Sequence, residues 1–132
     1  MEKKGTKVLV IDDDPFIGDM YILKLRERGF EAESVLDGKM GLERIKELKP
    51  DVILVDIVMP GIDGFELLKE LKQTKDDKER AKIILLTNLG EKQDVERGLE
   101  LGADDYLIKA HFTPSEVVDK IEEVLKKPGK KP

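Results

Sequence analysis

Residues 50–65, PDVILVDIVMPGIDGF, decide the fold class of this chain. Residues 52–55 form an uninterrupted apolar run, which is typical of a strand buried on both faces in the centre of a parallel sheet. Asp56 ends the run, and the proline and glycines of residues 59–64 predict a turn. Apolar residues then recur at helical spacing over residues 65–72. A buried strand, a turn and a helix in this order indicate one unit of an α/β fold.

The same unit recurs along the whole chain. Helices are predicted after Asp14, Asp37 and Thr113, because these are typical N-cap residues, and Pro15 and Pro114 suit a first helical turn. Asp14 is therefore interpreted as a helix cap rather than a metal ligand. Another helix is predicted at residues 91–101, and the remaining strands are predicted at residues 7–11, 30–35, 82–86 and 106–108. We predict a doubly wound, flavodoxin-like α/β fold with five helices, right-handed crossovers and five parallel strands in the order 2-1-3-4-5.

Length and composition limit what the chain can be. Its 132 residues fit one domain, predicted to cover residues 1–126, and the Lys- and Pro-rich residues 127–132 are predicted to be a disordered tail. The absence of cysteine excludes disulfides and zinc–thiolate sites. No apolar run approaches the roughly 20 residues that cross a bilayer, so a cytoplasmic protein without a membrane partner is expected. The net charge of −5 argues against direct binding of nucleic acid.

Polar residues end the predicted strands. Asp12 and Asp13 follow the first strand, Asp56 follows the third, Thr87 follows the fourth and Lys109 follows the fifth. The carboxyl ends of parallel strands meet at one edge, so these side chains are expected to converge there. Two carboxylates about 4 Å apart repel by roughly 4 kcal/mol at an effective dielectric constant near 20, so a cation is needed. Lys109 is one candidate, and Mg2+ with oxygen ligands is the other.

The expected cluster suits phosphoryl transfer. A carboxylate can act as the nucleophile and form an aspartyl phosphate, while a metal ion, a lysine and a hydroxyl stabilise the phosphoryl oxygens. The chain contains neither G-x-G-x-x-G nor G-x-x-x-x-G-K-[ST], the glycine-rich loops that bind nucleotide phosphates. We therefore expect that the phosphoryl group does not come directly from ATP.

Four segments together resemble one known family. They are VLVIDDDP, PDVILVDIVMPGIDGFELL, IILLTN and GADDYLIK, and they lie in order between about residues 7 and 125. The sequence resembles the receiver domain of two-component response regulators, the CheY-like family. The resemblance implies that Asp56 is the phosphoacceptor. It further implies that Asp12, Asp13, Asp56 and the main-chain carbonyl of Val58 bind Mg2+ (or Mn2+).

The resemblance also implies a switch and partners. Thr87 and Lys109 would contact the phosphoryl oxygens, and the rotamer of Tyr106 would follow Thr87 on phosphorylation. A sensor histidine kinase or a phosphotransfer protein would donate the phosphoryl group. A downstream protein would bind the face formed by the fourth helix, the fifth strand and the fifth helix. The sequence after Leu125 shows no DNA-reading helix pair, so output is expected through another protein or a further domain.

One departure from the family pattern concerns the residue after Lys109. The family usually has a proline there, joined by a cis bond, whereas Ala110 stands in this chain. A non-proline cis bond costs roughly 2.5–4 kcal/mol, so the bond is either strained or trans with Lys109 presented differently. This departure keeps open a second interpretation, a pseudo-receiver that binds proteins and never takes phosphate.

A phosphatase of the haloacid-dehalogenase type is the enzymatic alternative. Such enzymes form an aspartyl phosphate after the first strand with an Asp-x-Asp motif, and Asp12 and Asp14 have that spacing. Pro15 directly after Asp14, and an acidic pair that precedes Lys109 instead of following it, argue against this class. The two interpretations differ in the residue that carries phosphate, Asp56 or Asp12.

Overall fold

A computed structural model of the protein describes residues 5–74, 81–88 and 90–126, and the side chains of those residues except 72–74. Strands and helices alternate throughout this part of the chain. The strands are β1 (Lys7–Ile11), β2 (Glu31–Val35), β3 (Val52–Asp56), β4 (Lys82–Thr87) and β5 (Asp105–Ile108). The helices are α1 (Pro15–Glu27), α2 (Gly38–Leu48), α3 (Gly64–Thr74), α4 (Lys92–Glu100) and α5 (Pro114–Lys126). The predicted tail, residues 127–132, lies outside the described residues.

The five strands form one parallel sheet in the order β2-β1-β3-β4-β5, so the predicted topology is confirmed. The register pairs Val8 of β1 with Val52 of β3, and Ile11 with Val55. The residues that follow β1 and β3 are therefore neighbours across the sheet. This is the topological switch point, where ligands bind in doubly wound folds.

Each face of the sheet carries its own hydrophobic layer. Side chains alternate along a strand, so Val8 and Val10 pack with α1 and α5, whereas Leu9 and Ile11 pack with α2 and α3. The strands β1, β3 and β4 are buried almost completely. Full burial of each such aliphatic side chain stabilises the fold by roughly 1.5–3 kcal/mol. The sheet is thus a rigid support for the loops at its carboxyl edge.

Three strands, β3, β4 and β5, extend one residue beyond the predicted bounds, β1 has the predicted bounds, and β2 begins one residue later than predicted. β3 includes Asp56 and β4 includes Thr87, so both residues belong to hydrogen-bonded strands. β5 was predicted to begin at residue 106, but it begins at Asp105. The Asp104 side chain accepts a hydrogen bond from Ile83 N at 2.8 Å, which fixes the start of β5 beside β4.

Side-chain caps set the starts of several helices. Asp14 accepts from Phe16 N at 3.0 Å, and Asp37 accepts from Met40 N at 2.8 Å, as predicted for caps. Thr113 and Glu116 form the predicted capping box of α5.

The turn residue Asp63 has a second role that the sequence prediction missed. Asp63 accepts from Glu66 N at 2.9 Å, while the Glu66 carboxylate accepts from Asp63 N at 3.2 Å. These reciprocal bonds start α3 directly after the loop that follows β3.

The residues after β5 form a short 3-10 helix, Lys109–His111, that was not predicted. The described part of the chain contains no cis peptide bond, so Lys109 and Ala110 are joined in trans. His111 lies at the surface. Among the described helices, none is long and apolar enough to cross a membrane.

Candidate phosphoacceptor and metal site

Three carboxylates lie together at the carboxyl edge of the sheet. One carboxylate oxygen each of Asp12, Asp13 and Asp56 lies within 4.8 Å of the other two. Asp12 and Asp56 are buried, with 1% and 3% of their surface exposed, whereas Asp13 is exposed. The cluster predicted from the strand ends is therefore present, with two members beneath the surface and one at its rim.

The backbone of the β1–α1 loop fixes Asp12. Its main-chain N donates to Val35 O at 3.1 Å, and its Oδ1 accepts from Asp14 N at 2.9 Å. Its Oδ2 is fully buried and makes no hydrogen bond within the described residues, although Lys109 Nζ lies 2.7 Å away. The ammonium contacts Oδ2 as a charge, without hydrogen-bond geometry. A buried carboxylate oxygen in this state retains capacity for a further cationic partner.

Both oxygens of Asp56 are engaged. Oδ1 accepts from Val58 N at 3.1 Å, and Oδ2 accepts from Lys109 Nζ at 2.7 Å. Gly64 lies against the same strand end, since a Cβ there would stand 2.7 Å from Asp56 O. Glycine thus allows α3 to begin in direct contact with the backbone of Asp56.

Charge and burial act against each other in this cluster. Burial raises the pKa of Asp56, the contacts with Lys109 lower this pKa, and the neighbouring charge of Asp12 raises it again. The net result is that the pKa of Asp56 is raised. For Lys109, burial acts to lower the pKa, but the close contacts with the Asp12 and Asp56 carboxylates outweigh burial, so the pKa of Lys109 is raised. Asp12 and Asp56 therefore share one protonated ammonium group, and with Asp13 the cluster holds more carboxylates than cationic side chains.

An open cleft of about 500 Å³ leads from solvent to the cluster. The described residues that line it are Asp13, Asp14, Pro15, Ile17, Asp56, Val58, Asn88 and Lys109. Val58 is 72% exposed at the rim of the cleft. The sequence prediction overlooked Asn88, although its position directly after β4 places it at the same edge.

Thr87 stands apart from the other predicted site residues. It is only 7% exposed and is not among the residues that line the cleft. Its Oγ1 accepts a hydrogen bond from Gly90 N at 3.1 Å. Tyr106, its predicted switch partner, is 37% exposed on β5. The structure brings Asp12, Asp13, Asp56 and Lys109 together, but it does not direct the Thr87 hydroxyl into the cleft.

The donor set fits a small divalent cation. All three candidate side chains offer carboxylate oxygens, which Mg2+ and Mn2+ prefer, and one of these residues is exposed and so leaves room for water ligands. The buried Asp12 Oδ2 and the excess negative charge point in the same direction. Asp12, Asp13 and Asp56 would hold the ion.

The capping role of Asp14 leads to a prediction about metal binding. Asp12→Ala and Asp13→Ala should each weaken Mg2+ binding, because each removes one charge of the cluster, by roughly tenfold or more. Asp14→Ala should cost roughly 1 kcal/mol of unfolding free energy through the lost cap, with little effect on Mg2+ affinity. Calorimetric titration with Mg2+ and chemical denaturation of each variant measure both quantities. A larger loss of affinity in Asp14→Ala than in Asp13→Ala would contradict this assignment.

Comparison with known proteins identifies the family. The family model described as "Response regulator receiver domain" matches residues 8–122. The chain is 35% identical over 127 residues to the DNA-binding response regulator MtrA of Mycolicibacterium smegmatis, covering 96% of this chain and 54% of MtrA. It is 35% identical over 121 residues to the phosphate regulon transcriptional regulatory protein PhoB of Rhizobium meliloti, covering 92% of this chain and 52% of PhoB. The chain thus spans about half the length of these two regulators.

A solved structure extends the same likeness to the fold. The chemotaxis response regulator CheY4 of Vibrio cholerae superposes with a TM-score of 0.82 at 30% identity, covering 90% of this chain and 98% of that one. This chain itself has a parallel sheet in the order β2-β1-β3-β4-β5 and an acidic cluster at the carboxyl edge of that sheet. The chain belongs to the receiver-domain family of two-component response regulators, whose members are phosphoacceptor signalling switches.

Proposed function

We propose that this receiver domain takes a phosphoryl group from a sensor histidine kinase or a phosphotransfer protein onto Asp56. The observation that carries the proposal is the placement of Asp56 at the floor of an open cleft, with Lys109 Nζ 2.7 Å from its Oδ2. Asp12 and Asp13 lie close enough to share a divalent cation with it. The Val58 main-chain carbonyl is proposed as a further ligand.

The residues of the cleft account for the transfer step. A carboxylate oxygen of Asp56 attacks the phosphorus of a phosphohistidine, the P–N bond breaks, and its electron pair goes to the imidazole nitrogen, which takes up a proton. The hydrogen bond from Val58 N orients the Asp56 carboxylate, and Lys109 neutralises negative charge on the phosphoryl oxygens. A bound Mg2+ or Mn2+ supplies further neutralisation of those oxygens. The domain would promote its own phosphorylation and dephosphorylation without being an enzyme on a separate substrate.

The switch and the partners belong to the same proposal. Thr87 would turn its hydroxyl to the phosphoryl group, Tyr106 would follow, and the face of α4, β5 and α5 would bind a downstream protein. The exposure of Tyr106 on β5 supports this assignment, since its ring is accessible on that face. Transfer from a kinase is proposed to take place in the cytoplasm.

Two alternative interpretations receive less support from the geometry. A dehalogenase-type phosphatase would need a free Asp14 carboxylate, but that carboxylate caps α1. A pseudo-receiver would be favoured if Ala110 displaced Lys109, yet Lys109 reaches both Asp12 and Asp56 across a trans bond.

Incubation with a small acyl phosphate tests the proposed function. Intact mass measurement should show the addition of one phosphoryl group in the presence of Mg2+ and none after chelation, because the excess charge of the cluster must be neutralised before a phosphoryl anion approaches. Equal incorporation with and without the divalent cation would contradict the proposed metal site. No incorporation under either condition would favour a pseudo-receiver.

The apolar rim of the cleft predicts a long-lived phosphorylated state. In receiver-like sites, the residues two positions after the acceptor and two after the threonine flank the path of water, and here they are Val58 and Leu89. Val58 is at the cleft, while Leu89 lies outside the described residues. Neither side chain can orient a water molecule for attack.

The double variant Val58→Asn, Leu89→Gln should therefore lose phosphate roughly tenfold faster, which is less than the roughly 100-fold or more of a positioned acid or base, because Asn and Gln orient water without taking its proton. The measurement is the decay of the phosphorylated mass in excess Mg2+ after removal of the donor, with Val58→Leu as the apolar control. An unchanged decay rate would show that apolar shielding does not set the lifetime. A faster decay that disappears with His111→Ala would assign the proton transfer to His111.

A further inference from the structure

Asn88 is a polar residue of the cleft to which the proposed phosphoryl transfer assigns no role. It directly follows Thr87, the last residue of β4, and it lines the same cleft as Asp56 and Lys109 while remaining exposed to solvent. Asp56 is paired with Leu86 across β3 and β4, so Asn88 lies at most about 7 Å further along the sheet, at a rise of about 3.3 Å per residue. Asn88 is therefore placed beyond the level of Asp56, towards the opening of the cleft, where a group bound to that carboxylate would project.

Few side chains of the cleft can donate a hydrogen bond to a phosphoryl oxygen. Three of the described lining residues are aspartates, whose ionised carboxylates only accept, and three more are apolar. Lys109 and Asn88 remain as side-chain donors, and the Lys109 ammonium already contacts the carboxylates of Asp12 and Asp56. The Thr87 hydroxyl is bound to a backbone N–H of the following loop, and Thr87 does not line the cleft. Among the described lining residues, Asn88 is thus the one side-chain donor that the acidic cluster does not engage.

The chemistry of the Asn88 carboxamide suits a phosphoryl ligand. The side chain makes no hydrogen bond to any other described residue, so its polar atoms are not committed within that part of the chain. An asparagine amide carries two N–H donors, whereas phosphoryl oxygens only accept hydrogen bonds. Because the amide is neutral, it neither repels an incoming phosphoryl anion nor competes with a metal ion for the carboxylates. Such a group can bind a phosphoryl oxygen while a divalent cation is held beside it.

We propose that the Asn88 carboxamide donates a hydrogen bond to a phosphoryl oxygen during transfer onto Asp56, and is therefore a catalytic residue beside Lys109. This inference rests on the proposed function and adds a residue to the same site. Negative charge is spread over the phosphoryl oxygens in the transition state, so donors placed around those oxygens lower the barrier to transfer. Lys109 comes from the end of β5 and Asn88 from the end of β4, so each can reach a different oxygen.

The rate of phosphorylation by a small acyl phosphate, followed by intact mass at saturating Mg2+, tests the role of Asn88. Asn88→Ala removes the donor and should slow the reaction roughly tenfold, less than the loss of a buried oxyanion-hole donor because Asn88 is exposed to solvent. Asn88→Leu, which keeps a similar size without polar atoms, should be slowed to a similar extent. Gln93→Ala removes another exposed carboxamide, on α4, and as the matched control should leave the rate unchanged.

Asn88→Asp supplies a second arm that separates binding of the phosphoryl group from binding of the metal ion. This variant keeps the shape of the side chain but places a carboxylate opposite the phosphoryl anion, so its phosphorylation should be slower than that of Asn88→Ala. Its Mg2+ affinity, measured by calorimetric titration, should equal or exceed that of the wild type, because the added negative charge attracts the cation. The Mg2+ affinity of Asn88→Ala should equal that of the wild type, since Asn88 is not proposed as a metal ligand.

Two results would overturn the role of Asn88. Phosphorylation of Asn88→Ala at the wild-type rate or faster would show that the side chain only occupies space in the cleft. Slower phosphorylation of Asn88→Ala together with an equal loss of Mg2+ affinity would show that the side chain shapes the metal site instead of binding the phosphoryl group. Failure of the wild type itself to take phosphate in the presence of Mg2+ would overturn the proposed function, and this inference with it.

Discussion

Asp56→Asn should take up no phosphoryl group from a small acyl phosphate in the presence of Mg2+, whereas the wild type becomes phosphorylated. The amide keeps the shape of the side chain and can still accept the hydrogen bond from Val58 N, but it lacks the nucleophilic oxygen. The expected loss is complete, because the two other carboxylates that line the cleft are placed differently: Asp13 is exposed and Asp14 caps α1. Intact mass measurement of both proteins under identical conditions decides the result.

The same variant should remain folded without metal. The raised pKa of Asp56 means that its ionisation is unfavourable in the folded protein, so this carboxylate contributes stability at low pH that is lost as the pH rises through its folded-state pKa. A neutral Asn at position 56 should therefore unfold at a denaturant concentration equal to or higher than the wild type at neutral pH. Full phosphorylation of a folded Asp56→Asn would show that another residue is the acceptor.

Lys109→Met should lower the stability of the metal-free protein by about 3 kcal/mol, the cost of removing one partner from a buried ion pair. Lys109 Nζ lies 2.7 Å from a carboxylate oxygen of Asp12 and from one of Asp56. All three side chains are buried, with exposed fractions of 9% for Lys109, 0% for Asp12 and 4% for Asp56. Without the ammonium, two buried carboxylates face each other with no described cation. Mg2+ should then bind more tightly, by roughly tenfold, because the competing positive charge is gone.

Denaturation with and without Mg2+ measures both effects. Lys69→Met on the exposed surface of α3 is the matched control and should change the free energy of unfolding by no more than about 0.5 kcal/mol. Saturating Mg2+ should recover most of the stability that Lys109→Met loses. A variant that is as stable as the wild type without metal, with unchanged Mg2+ affinity, would show that Lys109 does not neutralise the cluster.

Much of this site could be predicted because the sheet itself places the residues. Asp12, Asp13 and Lys109 follow strands and Asp56 is the last residue of one, and parallel strands bring their carboxyl ends to one edge whatever the details of packing. The apolar runs that identify those strands are strong signals over short distances. The order of the strands and the carboxylate cluster were therefore accessible from the sequence.

The features of the site and the fold that were not predicted depend on contacts that no local sequence pattern encodes. The rotamer of Thr87 is set by Gly90, and the start of β5 is set by the bond between Asp104 and Ile83, both of which join distant or irregular segments. The reciprocal bonds of Asp63 and Glu66 followed a known capping pattern, but the neighbouring glycine and proline suggested only a turn. Ala110 raised doubt about the position of Lys109, yet the lysine reaches the cluster from the first residue of a short 3-10 helix that the sequence did not predict.

The most direct test of the account is to locate the phosphorylated residue. The protein is incubated with an acyl phosphate and Mg2+, reduced with borohydride, which converts a phosphorylated aspartate to homoserine, and mapped by peptide mass spectrometry. The account predicts homoserine at position 56 and unchanged aspartate at positions 12, 13 and 14. Homoserine at position 12 with Asp56 intact would contradict it.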